Sequence, residues 1–277
     1  LSDLAAQAGA AALTAAGLTA TDLDLILLAT STPDDLFGSA CQVQARLGAL
    51  QATAFDLTAA CSGFLFGLVT AAQFIRTGTY RRILLIGADV LSRWTDWSDR
   101  RTCILFGDGA GAVVLEGSSE ERLLGFELRS DGSLNGCLTL SCDPKPQMLI
   151  TGAEIGAGRF QPIAMNGQEV YRFAVRRVPE VLEKALYRAG VTTDAIDWLL
   201  LHQANQRILN AVAERLGIPS ERVLSNLQEY GNTSAASIPL VLDEAVRQGR
   251  IRSGHLIAAS GFGAGLTWGA AVFRWGR

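Results

Sequence analysis

Three side chains with chemistry of their own stand far apart in the chain, each at the edge of a patterned run. They are Cys61 in "FDLTAACSGFLFGLVTAAQFIRTG" (55–78), His202 in "WLLLHQANQRI" (198–208) and Asn232 in "EYGNTSAAS" (229–237). The run from about 62 to 76 is apolar on nearly every face, the pattern of a buried central helix. A thiol at the start of such a helix meets unpaired backbone N–H groups and the positive end of the dipole. Its pKa is therefore expected below the free value of roughly 8.5. Each residue also has a plain explanation: Cys61 as a small buried group, His202 as a satisfied core histidine, Asn232 as a helix cap. His255, in "RSGHLI", sits at a strand entrance and reads as structural.

The rest of the chain narrows the choices. Its 277 residues carry a net charge of −3 and are 49% hydrophobic, enough for one large domain or two ordinary ones. That charge gives no argument for nucleic acid, and no apolar run reaches the roughly 20 residues of a membrane span. Five cysteines without framework spacing and only two histidines speak against disulfides and a zinc site, and for a reducing, cytoplasmic setting. Residues 2–16 read as an alanine-rich helix with Ser2 as its cap, so the chain is expected to begin inside a fold.

The elements that must position the three residues repeat. "AAGLTATDLDLILLATS" (15–31) is similar to "RAGVTTDAIDWLLLHQA" (188–204): helix end, glycine stop, acidic residue, buried strand. Each leads to a helix ending in Arg-Leu-Gly, at 46–48 and 215–217. "AAQFIRTGTYRRILLIGAD" (71–89) is similar to "LDEAVRQGRIRSGHLIAAS" (242–260), and "FGDGAGAVVLEG" (106–117) to "GFGAGLTWGAAVF" (261–273). Cys61 precedes Gly78 by 17 residues and Asn232 precedes Gly249 by 17, which makes them counterparts at the starts of equivalent helices. Two βαβ halves of this kind predict two mixed sheets about a pseudo-twofold axis, with the equivalent central helices between them and Cys61, His202 and Asn232 converging. Residues 1–140 form the expected N-terminal half, 141–165 an irregular connecting excursion, and 166–277 the C-terminal half.

"DLTAACSGF", "HQANQRI", "YGNTSAAS" and "GFGAGLTWG" together resemble beta-ketoacyl-[acyl-carrier-protein] synthase III, across the whole chain and in order. The resemblance implies an α/β, thiolase-like, five-layer αβαβα fold whose first strand is missing from this chain, and a cytoplasmic homodimer. It implies an acyltransferase that condenses an acyl-CoA, acetyl-CoA by default, with malonyl-acyl-carrier protein to begin fatty acid synthesis, without metal or redox cofactor. Cys61 is then the nucleophile, the backbone N–H groups of Cys61 and Ala264 form an oxyanion hole, and His202 and Asn232 donate to the enolate oxygen. Phe262 packs beside the thiol. Leu36 stands where the family often has a phenylalanine that reaches into the partner's acyl pocket, which bears on primer choice. Arg100, Gly167, Ala204, Asn205 and Arg207 are implied contacts of coenzyme A or phosphopantetheine. Gln203, Ala204, Asn205, Gln206, Arg207, Arg172 and Arg215 are candidates for docking the acidic carrier protein.

Three rival readings differ from this one. "FGDGAGA" could mark a nucleotide-binding module, but its glycines at 107, 109 and 111 do not make G-x-G-x-x-G. A non-catalytic relative would not be expected to keep all three of Cys61, His202 and Asn232. A synthase III-like enzyme of secondary metabolism, using another acyl-CoA or transferring acyl groups without condensation, shares every motif.

Overall fold

The computed structural model describes residues 1–276. In chain order the elements are α1 (Ser2–Ala16), β1 (Leu25–Ala29), α2 (Ala40–Leu47), β2 (Thr53–Leu57), α3 (Gly63–Arg76), β3 (Arg82–Val90), β4 (Asp108–Glu116) and β5 (Leu123–Ser130). β6 (Leu138–Thr139), β7 (Cys142–Ile150), β8 (Ala153–Phe160), β9 (Ala164–Met165), α4 (Gly167–Ala189), β10 (Trp198–Leu201) and α5 (Gln206–Leu216) follow. The chain closes with β11 (Val223–Leu224), α6 (Leu227–Tyr230), α7 (Ser237–Arg247), β12 (Leu256–Gly263) and β13 (Thr267–Arg274).

Two sheets form, ordered β2-β1-β3-β4 and β11-β10-β12-β13-β5, each parallel except at its later strands. All five residues of β1, "LILLA", are buried, as expected for a parallel strand covered on both faces. α1 and α2 pack on the outer face of the first sheet around Ile26, Leu28, Leu84 and Ile86. α3 and α7 fill the space between the sheets with Phe64, Leu65, Ile238, Val241 and Leu242. α4 and α5 cover the second sheet through Leu182, Leu186, Leu209 and Val212. These are the five αβαβα layers. Each such fully buried leucine or isoleucine contributes about 1.5–3 kcal/mol relative to exposure. The Arg-Leu-Gly stops hold: Gly48 and Gly217 both end their helices in the left-handed region, at φ 74° and 66°.

The excursion at 141–165 is not irregular. β7 and β8 pair as an exposed antiparallel hairpin closed at Gly152, whose φ of 84° suits the turn. Phe160 meets Trp94 edge to face at 5.4 Å. Strand β5, within the span expected for the N-terminal half, pairs with β13 in the second sheet. Helix α1 begins at Ser2 with Leu1 in the cap position, so Ser2 is a first-turn residue instead of the cap.

The repeat can be measured by matching hydrogen bonds. The Asp24 carboxylate accepts from the Arg82 N–H at 2.8 Å, and that of Asp197 from the Leu256 N–H at 2.7 Å. Short 3₁₀ turns at Ala60–Ser62 and Ser234–Ala236 introduce α3 and α7, each opening on a non-glycine residue at positive φ, 47° at Ala60 and 52° at Ser234. The counterpart of Cys61 is therefore Ala235, and Asn232 lies three residues earlier. Counting back from the glycine stops misplaces the equivalence because α7 has 11 residues where α3 has 14.

Candidate active site

Cys61 is the middle residue of the Ala60–Ser62 turn, just ahead of α3, and is buried. The bend after β12 comes close behind it: a Cβ on Gly263 would lie 2.5 Å from the Cys61 nitrogen, so only glycine fits. Neither the Cys61 N–H nor the Ala264 N–H has an acceptor among the described residues. Ser62 is pinned by its hydroxyl to Ala59 O and to the Thr267 hydroxyl, at 2.7 and 2.6 Å. The thiol departs from the sequence expectation. Burial pushes Cys61 up to about 12, with Asp89 adding to the rise and the Ser234 hydroxyl opposing it. Removal from water dominates here, and the resting Cys61 thiol is neutral.

His202 follows β10, where its own N–H donates to Ser260 O at 2.8 Å. The ring is 2% exposed and meets Phe262 edge to face at 5.5 Å. Its Nδ1 lies 2.7 Å from the Ser237 hydroxyl at the start of α7, while Nε2 has no protein partner among the described residues. Burial lowers its pKa to about 3, so the imidazole is neutral. Phe262, expected beside the thiol, thus packs on the histidine, and its neighbours Gly261 and Gly263 approach Cys61.

Asn232 is held by the opposite half. Its N–H donates to Leu105 O at 2.8 Å and its carbonyl accepts from the Gly107 N–H at 2.9 Å. Its side-chain oxygen accepts from the Ser234 N–H at 2.9 Å, and the amide N–H₂ has no acceptor among the described residues. The glycines of "FGDGAGA" have their explanation here. A Cβ on Gly107 would fall 2.1 Å from Tyr230 O, on Gly109 2.8 Å from the Leu240 side chain, and on Gly111 2.9 Å from the Leu240 nitrogen. They let this strand lie directly on the Asn232 loop and α7, and the nucleotide-binding reading falls away.

Asp89, at the end of β3, was not singled out in the sequence. Fully buried, it accepts from the Ser31 and Ala235 N–H groups at 2.8 and 3.1 Å and from the Thr30 and Thr32 hydroxyls at 3.2 and 2.8 Å. Burial raises its pKa against the pull of Ser234 and these donors. The only signal was an acidic residue closing the apolar run "ILLIGAD".

The softer candidates scatter. Gln203 is fully buried, its amide donating to Leu201 O at 2.7 Å and its oxygen accepting from the Ser225 hydroxyl at 2.9 Å. It braces β10 against β11 and cannot meet a carrier protein, which corrects its place among the docking residues. Asn205 caps α5 by accepting from the Arg207 N–H at 2.9 Å, and Gln206 bonds Asn210 on the helix surface. Ala204 is half-buried; Arg207 and Arg215 are exposed and have no ion pair among the described residues. Arg172 is exposed and paired with Glu169 at 2.7 Å. Arg100 and Gly167 lie at the surface, and Leu36 is exposed beside Phe37 in the loop before α2.

Five αβαβα layers about a pseudo-twofold axis, with a buried thiol where one central helix begins, define a thiolase-fold condensing enzyme. Family models described as 3-oxoacyl-[acyl-carrier-protein (ACP)] synthase III and its C-terminal part match residues 55–132 and 186–275. Beta-ketoacyl-[acyl-carrier-protein] synthase III of Synechococcus elongatus is 75% identical over 276 residues, covering 100% of this chain and 82% of the relative. The chain belongs to the 3-oxoacyl-[acyl-carrier-protein] synthase III family. The Trichormus variabilis enzyme of the same name is 66% identical over all of this chain and 84% of its own length. The crystal structure of the Aquifex aeolicus synthase III superimposes with a TM-score of 0.89 at 45% identity, over 98% of this chain and 83% of that one. The priming beta-ketosynthase of the R1128 polyketide pathway superimposes at 0.87 with 33% identity, over 98% and 80%.

Proposed function

We propose that the protein condenses an acyl-CoA with malonyl-acyl-carrier protein to give a 3-oxoacyl-carrier protein, the opening step of fatty acid synthesis. The observation that carries the reading is the pairing of a buried thiol at free N–H groups with a neutral imidazole and an amide, whose His202 Nε2 and Asn232 Nδ2 have no protein partner among the described residues. The Cys61 sulfur attacks the acyl thioester, and coenzyme A leaves as its thiol with the cysteine proton. The Cys61 and Ala264 N–H groups stabilise the oxyanion, donors typically worth about 3–4 kcal/mol each in acyl transfer. Malonyl-carrier protein then loses carbon dioxide. The electron pair of the broken C–C bond enters an enolate whose oxygen accepts from His202 and Asn232. The enolate carbon attacks the acyl carbon, the C–S bond breaks, and Cys61 regains a proton. The scheme calls on no resident metal or cofactor.

Identity favours this over the secondary-metabolism reading: relatives named synthase III reach 75%, against 33% for the R1128 priming ketosynthase. The reading includes a cytoplasmic homodimer, acetyl-CoA as the default primer, and Arg100, Gly167, Ala204, Asn205 and Arg207 along the route of coenzyme A. Exposed Leu36 and Phe37 suit a partner subunit. The test separates the two half-reactions. Cys61→Ala is expected to abolish labelling by radioactive acyl-CoA, while His202→Ala and Asn232→Ala still take up label and lose decarboxylation of malonyl-carrier protein. Full condensing activity in Asn232→Ala would overturn the assignment.

A further inference from the structure

We infer that Ser237 is a positioning residue that fixes the tautomer of His202, presenting Nε2–H to the reaction. The two are separated by 34 residues of chain and meet because β10 ends where α7 begins. Their atoms are 2.7 Å apart, and both residues are buried.

The direction of the bond follows from counting protons. Ser237 Oγ already faces the Gln203 N–H, a long contact at 3.4 Å, and that N–H can only donate. If His202 Nδ1 also donated, the hydroxyl would accept twice and its own proton would have no acceptor among the described residues. If the hydroxyl donates to Nδ1, every proton in the chain Gln203 N–H, Ser237 O–H, His202 Nδ1 has a partner. A neutral imidazole carries one N–H, and it then resides on Nε2, the nitrogen with no protein partner. The Phe262 ring at 5.5 Å holds the imidazole plane, and the buried Gln203 side chain, bonded to Leu201 O, holds the backbone N–H that begins the relay.

The pseudo-twofold axis supplies a second observation. In the N-terminal half the equivalents of His202 and Ser237 are Ala29 and Gly63. A Cβ on Gly63 would sit 3.3 Å from the Ala29 Cβ, so the same two backbones approach each other there without functional groups. One of two equivalent contacts carries an imidazole and a hydroxyl in bonding register. The hydroxyl is not needed to fill that contact, because the other half closes it with glycine.

The inference rests on His202 as a donor to the enolate, and its test is arranged to separate the two. Nitrogen-15 NMR of histidine-labelled protein should show His202 with a bare Nδ1 and a protonated Nε2. A protonated Nδ1 would overturn the inference whatever His202 does in catalysis. Ser237→Ala should lower kcat for condensation about tenfold, a modest share of what one oxyanion-type donor supplies, with acyl transfer from acyl-CoA to Cys61 within about twofold of wild type. Ser237→Thr, which keeps the hydroxyl, should recover most of the loss. Condensation within twofold of wild type in Ser237→Ala would also overturn it. If His202→Ala keeps full decarboxylation while the NMR result stands, it is the functional assignment of His202 that fails.

Discussion

The carboxylate of Asp89 accepts a hydrogen bond from the N–H of Ala235 at 3.1 Å, and Ala235 is the pseudo-twofold counterpart of Cys61. The counterpart of Asp89 is Gly263, whose missing side chain leaves the Cys61 N–H uncovered. Two equivalent N–H groups therefore face an anion in one half and an open position in the other. The bound carboxylate is a built-in illustration of what the Cys61 N–H is able to hold.

Asp89 also ties the Asn232 loop to the first sheet, through Ala235 on one side and Thr30, Ser31 and Thr32 on the other. Asp89→Asn replaces one acceptor oxygen by a donor facing donors. It should lower stability by about 1–3 kcal/mol, the usual cost of a buried mismatch, and reduce malonyl decarboxylation more than Cys61 acylation. Urea unfolding with the two half-reaction assays checks this, and unchanged stability would show that the four donors find other partners.

A resting thiol pushed up to about 12 makes a kinetic prediction. Alkylation of Cys61 by iodoacetamide, followed on its own peptide by mass spectrometry because Cys41 and Cys142 are exposed, should rise about tenfold per pH unit from 7 to 9. A plateau near pH 7 would mean that the helix terminus outweighs burial after all.

His202, lowered to about 3 by burial against an ordinary 6.5, should stay neutral throughout the working range. The unfolded chain takes up this proton near pH 6.5 and the folded one does not. Stability held above 6.5 is therefore lost as pH falls toward 3, by up to about 1.4 kcal/mol per unit. Chemical denaturation of wild type and His202→Gln between pH 7.5 and 5 should show the wild type losing more. Parallel curves would mean that the imidazole is protonated in the folded state.

Arg207 and Arg215 lie eight residues apart on the exposed face of α5, roughly 12 Å along its axis, and are not engaged by acidic side chains among the described residues. The Arg172→Glu/Arg215→Glu double variant should raise KM for malonyl-carrier protein about fivefold at low salt, since rim charges act on association, and leave acyl-CoA transfer alone. The effect should shrink at high salt. Unchanged kinetics would place the acidic partner elsewhere.

Much of the fold was legible because periodicity repeats with the layers: the apolar runs that became β1 and β10, the glycine stops at 48 and 217, and the buried character of α3 all read directly. What did not read depends on distances that a linear pattern does not carry. The three-residue shortening of α7 hid the pairing of Cys61 with Ala235. The exchange of β5 into the second sheet has no local mark. Gln203 looked like surface because it sits in "HQANQR", where Asn205, Gln206 and Arg207 are exposed, yet its side chain turns inward to the Leu201 carbonyl. Ser237 looked like one more small residue in "SAAS", and only its distance to His202 distinguishes it.

Gly87 and Gly111 lie in the first sheet and Gly107 just ahead of β4, and at each of them an added carbon would land within 3 Å of backbone belonging to the other half. On the first-sheet side, the walls that carry Asn232 are thus bare main chain pressed on the backbone of the other half. At these three glycines variation can alter the seam only by adding atoms. Its shape is consequently protected from gradual drift: neighbouring leucines can exchange for methionine or isoleucine with repacking, whereas these glycines have no intermediate between their present form and a displaced Asn232 loop.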